Sequence, residues 1–538
     1  MSTISYDAAG AALDAKNQHV PTLVQEKIAS KIFAKDATLW GQDAESESAK
    51  RLGWVEAPTI SAALVPEILA LRSEFAAEGV NHFVLCGMGG SSLAPEVMTA
   101  TAGVALTVLD STDPEQVQAA IRDRLQSTAI VVSSKSGSTL ETDSQRRIFE
   151  QEFTKAGIDA KSRVVVVTDP GSPLDETSRA AGYRKVFNAD PNVGGRYSAL
   201  TAFGLVPSGL AGVDIQAFLD EAEEAAQALR QDSADNVGLA LGAALGGTSP
   251  LRDKIVIVDN GSGIVGFADW AEQLIAESTG KSGTGLLPVV ADASSPELTS
   301  GAGDVLVAHL VASDSELTLT GNEVAIAGGL PTQMMVWEFA TAVAGRLLGI
   351  NPFDQPDVEA AKAAARGLLD AQPEPVAANF VDGAIEVRGG DWLGESSTVA
   401  QALEATLGQL DANGYLSVQA YLDRIAYPQL SEVRNTLAAT TGRPVTFGWG
   451  PRFLHSTGQF HKGGPAIGVF VQITAESTED LAIPERPFTF GELISAQAAG
   501  DAQVLADHGR PVLRLHLRDR AAGVQQLLDI VAALDSSK

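Results

Sequence analysis

Cysteine is nearly absent from this sequence, and basic residues are in the minority. The single cysteine among 538 residues, Cys86, excludes an intrachain disulfide and is typical of a protein from a reducing compartment. Lys and Arg number 38 against 67 Asp and Glu, which gives a formal net charge of −29. A chain this acidic is poorly suited to a nucleic-acid backbone or an anionic membrane surface. A small anionic substrate remains compatible, because local cations and backbone dipoles can bind it.

Long apolar runs and metal-ligand clusters are also missing from the sequence. No uninterrupted apolar run reaches the roughly 20 residues that cross a bilayer. The first ten residues, MSTISYDAAG, contain no basic region followed by an apolar core, so we expect no signal peptide and a cytoplasmic enzyme. No set of His, Cys, Asp and Glu has a convincing ligand spacing, since His455 and His461 stand six apart without a third partner. We therefore expect no metal and no cofactor.

Short apolar runs alternate with longer helical patterns, which is typical of parallel sheets wound with helices. One series of strand-like runs lies at 82–87, 105–110, 129–134 and 163–169, and a second lies at 254–260, 286–290, 304–310 and 323–328. We predict a helix-rich passage from Pro331 to Arg434, followed by further strands at 445–449, 467–473 and 511–517 and a loop at 474–487. The pattern predicts an α/β protein with two doubly wound units.

Two segments rich in glycine and hydroxyl groups follow strand-like runs in the first series. They are GMGGSS, from Gly87 to Ser92, and SSKSGSTLET, from Ser133 to Thr142. Short O–H donors, the N–H groups of a helix start and a nearby lysine suit a phosphate group, although an ordinary Ser/Thr helix cap is the structural alternative. Together the two segments suggest a site for a phosphorylated sugar.

Two nucleotide-binding motifs are approached but not matched. Ser92 occupies the position of the third glycine in the dinucleotide fingerprint, and Ile275 occupies that of the first glycine of a P-loop ending in STGKSG. The first segment is left as a glycine turn that allows close backbone approach, before a helix with Pro95 in its first turn.

Five segments, in chain order, resemble signatures of the glucose-6-phosphate isomerase family, which is built from sugar isomerase (SIS) domains. They are GMGGSS, SSKSGSTLET, VGGRYS at 193–198, AESTGK at 276–281 and INPFDQPDVEAAK at 350–362. The resemblance is close over about residues 80 to 365. KDATLWG, RLGW at 51–54 and HSTGQFHKGG at 455–464 resemble the isomerase half of fusions between transaldolase and this family.

The resemblance implies four parts of the chain. They are a helical N-terminal segment at 1–60, a first SIS-like domain at 61–235 with the phosphate loop, a second SIS-like domain at 236–370 with the base and a lysine helix, and a C-terminal α/β segment at 371–538 with the histidine motif. Both SIS-like domains should be doubly wound, mainly parallel sheets.

The resemblance also implies an aldose-ketose isomerase that needs a base for proton transfer through a cis-enediol. By resemblance this base is Glu277, and Arg196 is the cation that stabilises the enediolate oxygen. The structural alternatives are a solvated carboxylate at a helix end and an ordinary surface arginine. Gly194 and Gly195 favour enediolate stabilisation as the role of Arg196, because they let the backbone turn sharply and present its side chain.

Ring opening calls for a cation and an imidazole. Lys362 stands seven residues after Gln355, and we predict both on one face of a helix that Asp354 caps and Pro356 starts, with a solvated surface lysine as the alternative. His455 is the better candidate for the imidazole and His461 a supporting one. Their segment follows the lysine helix, whereas it precedes that helix in ordinary family members, where a second subunit supplies it.

The remaining predicted substrate contacts surround the phosphate and the sugar. They are Gly90, Ser91, Ser134, Lys135, Ser136, Ser138, Thr139 and Gln355. The predicted reaction is the interconversion of glucose 6-phosphate and fructose 6-phosphate. The alternatives are a non-catalytic sugar-phosphate sensor and an isomerase that also accepts mannose 6-phosphate. A homodimer and an association with a separate transaldolase are both compatible with the resemblance.

Overall fold

Three β-sheets organise the computed structural model, which describes residues 4–371 and 376–535. The predicted limits at residues 1 and 538 lie outside the described residues. The strands in chain order are β1 (Ser5–Ala9), β2 (His82–Gly87), β3 (Thr107–Leu109), β4 (Thr128–Ser133), β5 (Val164–Thr168), β6 (Lys185–Asn188), β7 (Lys254–Asn260), β8 (Leu287–Ala291), β9 (Val305–Val311), β10 (Glu323–Ala327), β11 (Phe380–Asp382), β12 (Ile385–Arg388), β13 (Tyr415–Tyr421), β14 (Val445–Trp449), β15 (Gly468–Ala475) and β16 (Val512–Leu517).

Helices cover the faces of these sheets. The α-helices in chain order are α1 (Gly10–Gln25), α2 (Ile28–Phe33), α3 (Gln42–Ser48), α4 (Ala57–Ser61), α5 (Val65–Ala77), α6 (Leu93–Ala102), α7 (Pro114–Arg122), α8 (Leu140–Lys155), α9 (Pro173–Ala181), α10 (Ala202–Ala211), α11 (Ile215–Leu229), α12 (Val237–Gly246), α13 (Phe267–Thr279), α14 (Leu330–Leu348), α15 (Val358–Ala371), α16 (Val399–Leu407), α17 (Val433–Thr441), α18 (Gly458–Gly463), α19 (Phe490–Asp507) and α20 (Arg520–Asp535). Several of them begin at an Asp, Asn, Ser or Thr that accepts a backbone N–H, such as Asp113 before α7 and Asn236 before α12.

The three sheets share one order of parallel strands. In the first sheet the order is β3-β2-β4-β5-β6, and in the second it is β8-β7-β9-β10 with β1 added antiparallel at the edge. In the third it is β14-β13-β15-β16, extended by β12 and β11 in antiparallel pairing. Each sheet begins its parallel part with a central strand, which is β2, β7 or β13. The next strand along the chain (β3, β8 or β14) lies on one side of it, and the later parallel strands lie on the other side. This arrangement creates a crevice beyond the carboxyl ends of the two strands where the order reverses.

The predicted α/β class with mainly parallel sheets is confirmed, and the strand-like runs at 82–87 and 254–260 coincide with β2 and β7. The chain differs from the prediction in several places, one of which is β6, a strand outside every predicted run. Residues 1–60 do not form a purely helical lead, because β1 pairs with β10 of the second sheet. The passage from Pro331 to Arg434 contains three strands besides its helices, namely β11, β12 and β13.

One helical stretch, Gly53–Ala77, is long and apolar enough by composition to cross a membrane. It consists of four short helical pieces, with Pro58 and Val65-Pro66 at the starts of two of them. Trp54, Ile68 and Phe75 within this stretch are buried in the largest hydrophobic core, together with strands of the first and second sheets.

Buried ion pairs connect the third sheet and its helices to the rest of the chain. Arg434 of α17 pairs with Glu297, which follows β8 of the second sheet, and Glu297 also accepts the backbone N–H of Val445 at 3.1 Å. Arg452 pairs with Glu96 of α6 and with Asp110, each at 2.5 Å. Since a buried charge is tolerated only with a well-placed partner, these pairs fix how the C-terminal unit is docked.

We expect Arg434→Met to destabilise the protein strongly, because it leaves the carboxylate of Glu297, which is 2 % exposed, without its cation. Removal of one partner of a buried pair costs about 3–5 kcal/mol. The matched control is Arg122→Met, whose pair with Glu479 has side chains 70 % and 69 % exposed and should contribute less than about 1 kcal/mol. Calorimetric melting of the two variants checks this, and equal losses would contradict a docking role for Arg434.

Candidate active site

The three sheets, each with the helices that cover it, form three units: a first, a second and a C-terminal unit. A cavity of about 880 Å³ lies where segments of these three units meet. Its lining includes the glycine turn after β2, the loop after β4, the carboxyl half of α13, the start of α15 and the segment after β14. Since β2 and β4 are the neighbouring strands at which the first sheet reverses its order, the cavity occupies the crevice expected to bind a ligand.

The loop between β4 and α8 offers hydroxyl groups at the start of a helix. Ser136 and Ser138 are exposed, face the cavity and lie 3.0 Å apart through their Oγ atoms. Gly137 has a φ of +69°, and a Cβ there would lie 2.8 Å from the backbone nitrogen of Leu174, so only glycine fits this turn. Hydroxyl groups beside the N-terminus of the 16-residue helix α8 suit a phosphate group.

Ser134 does not face the cavity, in contrast to the prediction that it holds the phosphate. Its Oγ lies 2.9 Å from Oγ1 of Thr139 and accepts the backbone N–H of Gly137 at 3.2 Å. The side chain is buried because it closes the loop from inside. Thr139, Gly90 and Ser91 line the cavity.

Lys135 lines the cavity and forms an ion pair with Asp169 at 2.6 Å. Burial lowers the pKa of Lys135, against the opposing effect of the hydrogen bond to Asp169. Arg51, which sequence analysis did not single out, lines the same region. A phosphate group on the loop would therefore meet two cations, each paired with a carboxylate, since Arg51 pairs with Glu47 at 2.7 Å.

The glycine turn after β2 touches the segment that carries Arg196. A Cβ on Gly90 would lie 2.0 Å from the carbonyl oxygen of Gly195, so the two backbones pass in direct contact. Gly89 has a φ of +55°, and a Cβ there would lie 2.8 Å from the carbonyl oxygen of His455. The glycines of GMGG thus let three segments approach one another.

Glu277 and Arg196 come together inside the cavity. Glu277 is 4 % exposed, and its Oε2 lies 3.6 Å from Nη1 of Arg196. The amide of Gln273, one turn earlier on α13, donates to the same oxygen at 3.3 Å. Burial raises the pKa of Glu277 above its ordinary value, while the charges of Arg196 and His455 act in the opposite direction. A carboxylate in this setting can serve as a general base.

Arg196 is held rigidly by hydrogen bonds to two other segments. Its Nε donates to Oγ of Ser278 at 2.8 Å, and its Nη1 donates to Oε1 of Gln355 at 2.7 Å. Its Nη2 donates to the carbonyl oxygens of Pro352 at 2.7 Å and Asp354 at 3.0 Å. A fixed guanidinium beside the base can stabilise negative charge on a substrate oxygen without reorganising.

The start of the lysine helix differs from the prediction. Helix α15 begins at Val358, after Gln355, and Asp354 does not cap it but accepts Nζ of Lys281 at 2.6 Å. Gln355 and Lys362 nevertheless both line the cavity. The charge of Lys362 opposes the rise in the pKa of Glu277 and contributes to the lowered pKa of Glu141.

His455 lies in the cavity and forms a pair with Glu141, which stands in the first helical turn of α8. Its Nε2 is 3.1 Å from Oε1 of Glu141, and that oxygen also accepts the amide of Gln497 at 2.7 Å. Burial by itself would raise the pKa of Glu141, but the hydrogen bond and charge of His455 more than offset it, so that this pKa is lowered. Carboxylate and imidazole are thus paired in a form that can hold and release a proton.

His461 does not line the cavity, contrary to the prediction that it contacts the substrate. It is 1 % exposed, its Nδ1 lies 2.9 Å from the hydroxyl of Tyr415, and its ring stands edge-on to Phe470. Burial lowers the pKa of His461 well below its ordinary value. It is a buried core histidine on α18.

Besides Arg51, sequence analysis missed three polar side chains that contact Glu277 or the pair of Glu141 and His455 or belong to that pair. Glu141 stands inside the quoted SSKSGSTLET segment, so its position was visible although its pairing with His455 was not. Gln273 could have been noticed, because residues four apart on a helix share a face and Glu277 follows it by four. Gln497 comes from α19, and no local motif marks it.

Known proteins share both the sequence and the fold of the region around this cavity. The phosphoglucose isomerase family model matches residues 72–284. A glucose-6-phosphate isomerase of Gloeothece citriformis is 30% identical over 358 residues, which are 55% of this chain and 67% of that protein. A probable glucose-6-phosphate isomerase of Natronomonas pharaonis is 30% identical over 53% of this chain and 78% of that protein. The chain belongs to the glucose-6-phosphate isomerase family.

Solved structures share the fold of this chain. A hypothetical protein from Thermus thermophilus has a TM-score of 0.58 and 25% identity, and covers 68% of this chain and 100% of its own. A glucose-6-phosphate isomerase from Chlamydia trachomatis has a TM-score of 0.55 and 20% identity, and covers 69% of this chain and 89% of its own, which supports the same fold.

For this family member we expect Gly90→Ala to abolish most activity, because the new methyl group would meet backbone and not a flexible side chain. Displacing the Arg196 segment by a few tenths of an ångström or more should lower kcat/KM about 100-fold, as misplacement of a positioning group does. Gly303→Ala is the control, since no atom lies within 4 Å of the added methyl group. Activity retained by the Gly90 variant would mean that the contact between the two segments is dispensable.

Proposed function

We propose that the chain interconverts glucose 6-phosphate and fructose 6-phosphate through ring opening and a cis-enediol. The observation that carries the proposal is the ion pair of Glu277 and Arg196 in the same cavity as the hydroxyl-rich loop after β4. A protein that only binds a sugar phosphate needs the loop but has no use for a buried base beside a fixed cation.

The loop and the helix start recognise the phosphate, which anchors the sugar. Ser136, Ser138 and Thr139 supply hydroxyl donors, and Lys135 adds positive charge nearby. Gln355, which lines the cavity and is fixed by Arg196, assists in binding the phosphate. Binding energy gained at the phosphate then serves to hold the reacting carbons at the base.

Ring opening moves a proton between the C1 hydroxyl and the ring oxygen. His455 is the acid and base for this step, because its ring faces the cavity and is oriented by Glu141. The ammonium of Lys362, which also lines the cavity, supports charge that develops on oxygen. Opening breaks the bond between C1 and the ring oxygen, which leaves an aldehyde at C1 and a hydroxyl on C5.

Isomerisation then transfers hydrogen from C2 to C1. Glu277 removes the C2 proton, and the electron pair of that C–H bond forms the C1–C2 double bond of the enediolate. Arg196 stabilises the negative charge on the enediolate oxygen. Glu277 returns the proton to C1 while the proton of the C2 hydroxyl passes to the negatively charged C1 oxygen, which gives the C2 carbonyl and C1 hydroxyl of the ketose and restores the carboxylate.

Cytoplasmic location, a homodimer and association with a separate transaldolase stay predictions.

We expect Glu277→Gln to lower turnover by about 100- to 10,000-fold, because the amide cannot accept a proton from carbon. Conversion of fructose 6-phosphate is read with a coupled dehydrogenase, and exchange of the C2 hydrogen with solvent is followed by NMR. Glu316→Gln, an exposed loop position, is the control. Turnover within about tenfold of the unmodified chain would place the base elsewhere, whereas an inactive unmodified chain that binds the sugar phosphate tightly would favour a sensor.

The pH dependence of kcat/KM should report the environment of Glu277. Glu277 acts as its carboxylate, so activity should fall as pH decreases through its pKa, and burial raises that pKa above the ordinary carboxyl value. The Arg196 charge opposes the rise, and Arg196→Met should therefore move the acid limb to higher pH. Arg196→Lys retains the charge and should move it less. An acid limb at the same pH in both variants would show that Arg196 does not act on the base.

A further inference from the structure

A glutamine from outside the segment matched by the family model reaches the His455–Glu141 pair. Gln497 lies on α19, whereas the model ends at residue 284. Its side chain is 5 % exposed and lines the cavity. A buried amide that faces a site of charged groups is either satisfied by them or costly, so its partners define what it does.

Both ends of the Gln497 amide are engaged. The Nε2 atom donates to Oε1 of Glu141 at 2.7 Å, and the amide oxygen accepts the hydroxyl of Thr112 at 2.7 Å. The orientation of the amide follows from chemistry, because a carboxylate is only an acceptor and must face the NH₂ group. Thr112, on the loop before α7, therefore fixes the amide that touches the carboxylate.

Two donors converge on one oxygen of Glu141. Nε2 of His455 is 3.1 Å from the oxygen to which Gln497 donates. A neutral donor on a carboxylate stabilises its charged form and reduces its basicity. The proton of the pair is then held more on the imidazole and less on the carboxylate, and the carboxylate cannot rotate away from His455.

We propose that Gln497, locked by Thr112, is a positioning residue for ring opening that keeps Glu141 aligned with His455. The inference rests on the proposed function. It also gives the C-terminal unit a second contribution to the site besides His455, since both α19 and the segment after β14 belong to that unit.

Ring opening can be measured apart from isomerisation, by the interconversion of the α and β anomers of glucose 6-phosphate. NMR exchange between the anomeric signals reports it, and it requires no transfer of the C2 proton. In a Glu277→Gln background it should persist while isomerisation is lost. An unmodified chain that accelerates neither process contradicts the proposed function, whereas effects confined to the Gln497 variants bear only on this inference.

In that background we expect Gln497→Leu to slow anomer exchange about tenfold, which is the effect of losing one hydrogen bond to a charged group. Thr112→Val should slow it about threefold, because the amide is kept but no longer locked, and Thr112→Ser should restore the rate. Gln503→Leu is the control on the same helix, since the exposed Gln503 donates its amide to Asp507 at 2.7 Å.

The pH profile of anomer exchange separates positioning from a general loss of structure. Without the amide donor Glu141 is a stronger base, so the pair gains its proton at higher pH. The part of the rate–pH curve that depends on this proton should therefore move to higher pH, by about half a pH unit to one pH unit. The ammonium of Lys362, whose charge acts on Glu141, is unchanged in these variants. If Gln497→Leu does not fold, Thr112→Val carries the test. Anomer exchange within twofold of the parent and an unmoved limb in the folded variant would overturn the proposal.

Discussion

The carboxylate of Glu277 is buried, and this burial constrains the architecture around it. An ionised carboxylate removed from water is stable only if charges and donors compensate it. The compensating groups come from four parts of the chain. They are Arg196 from the first unit, Gln273 from α13 (the base helix, which also carries Glu277), Lys362 from α15 and His455 from the C-terminal unit. Because no single stretch of chain supplies them, the base acquires its environment only when the units have docked.

Arg196 serves both the chemistry and the assembly of the site. Its hydrogen bonds to Ser278, Gln355 and the carbonyl oxygens of Pro352 and Asp354 tie the base helix to the segment before α15. Lys281 reinforces the same segment through Asp354. A guanidinium held by so many fixed acceptors has little freedom left to lose when charge develops beside it, which is the condition for electrostatic preorganisation.

Sequence patterns predicted the strands that are buried on both faces, such as β2 and β7, because their continuous apolar runs are distinctive. They missed β1, whose sequence SYDAA becomes a strand only by pairing with β10, and they also missed β13. In β13 Leu416, Val418 and Ala420 do alternate with polar residues, so a signal was present. The segments that follow strands were located by their motifs. That His455 lines the cavity whereas His461 does not depends on which of the two rings packs into the core of Tyr415 and Phe470. No local pattern contains that information.

The third sheet explains why a histidine so late in the chain reaches the site. Its strand order reverses between β13 and β15, as the first sheet reverses between β2 and β4, so it too presents loops at one edge. The segment after β14 extends from that edge to Glu141, and Arg452 within it is anchored by Glu96 and Asp110 of the first unit. Docking by buried charges is directional, because each arginine must meet its own carboxylates. The ion pairs of Arg452 therefore set the position of His455 three residues later, and the C-terminal unit completes the cavity instead of merely covering it.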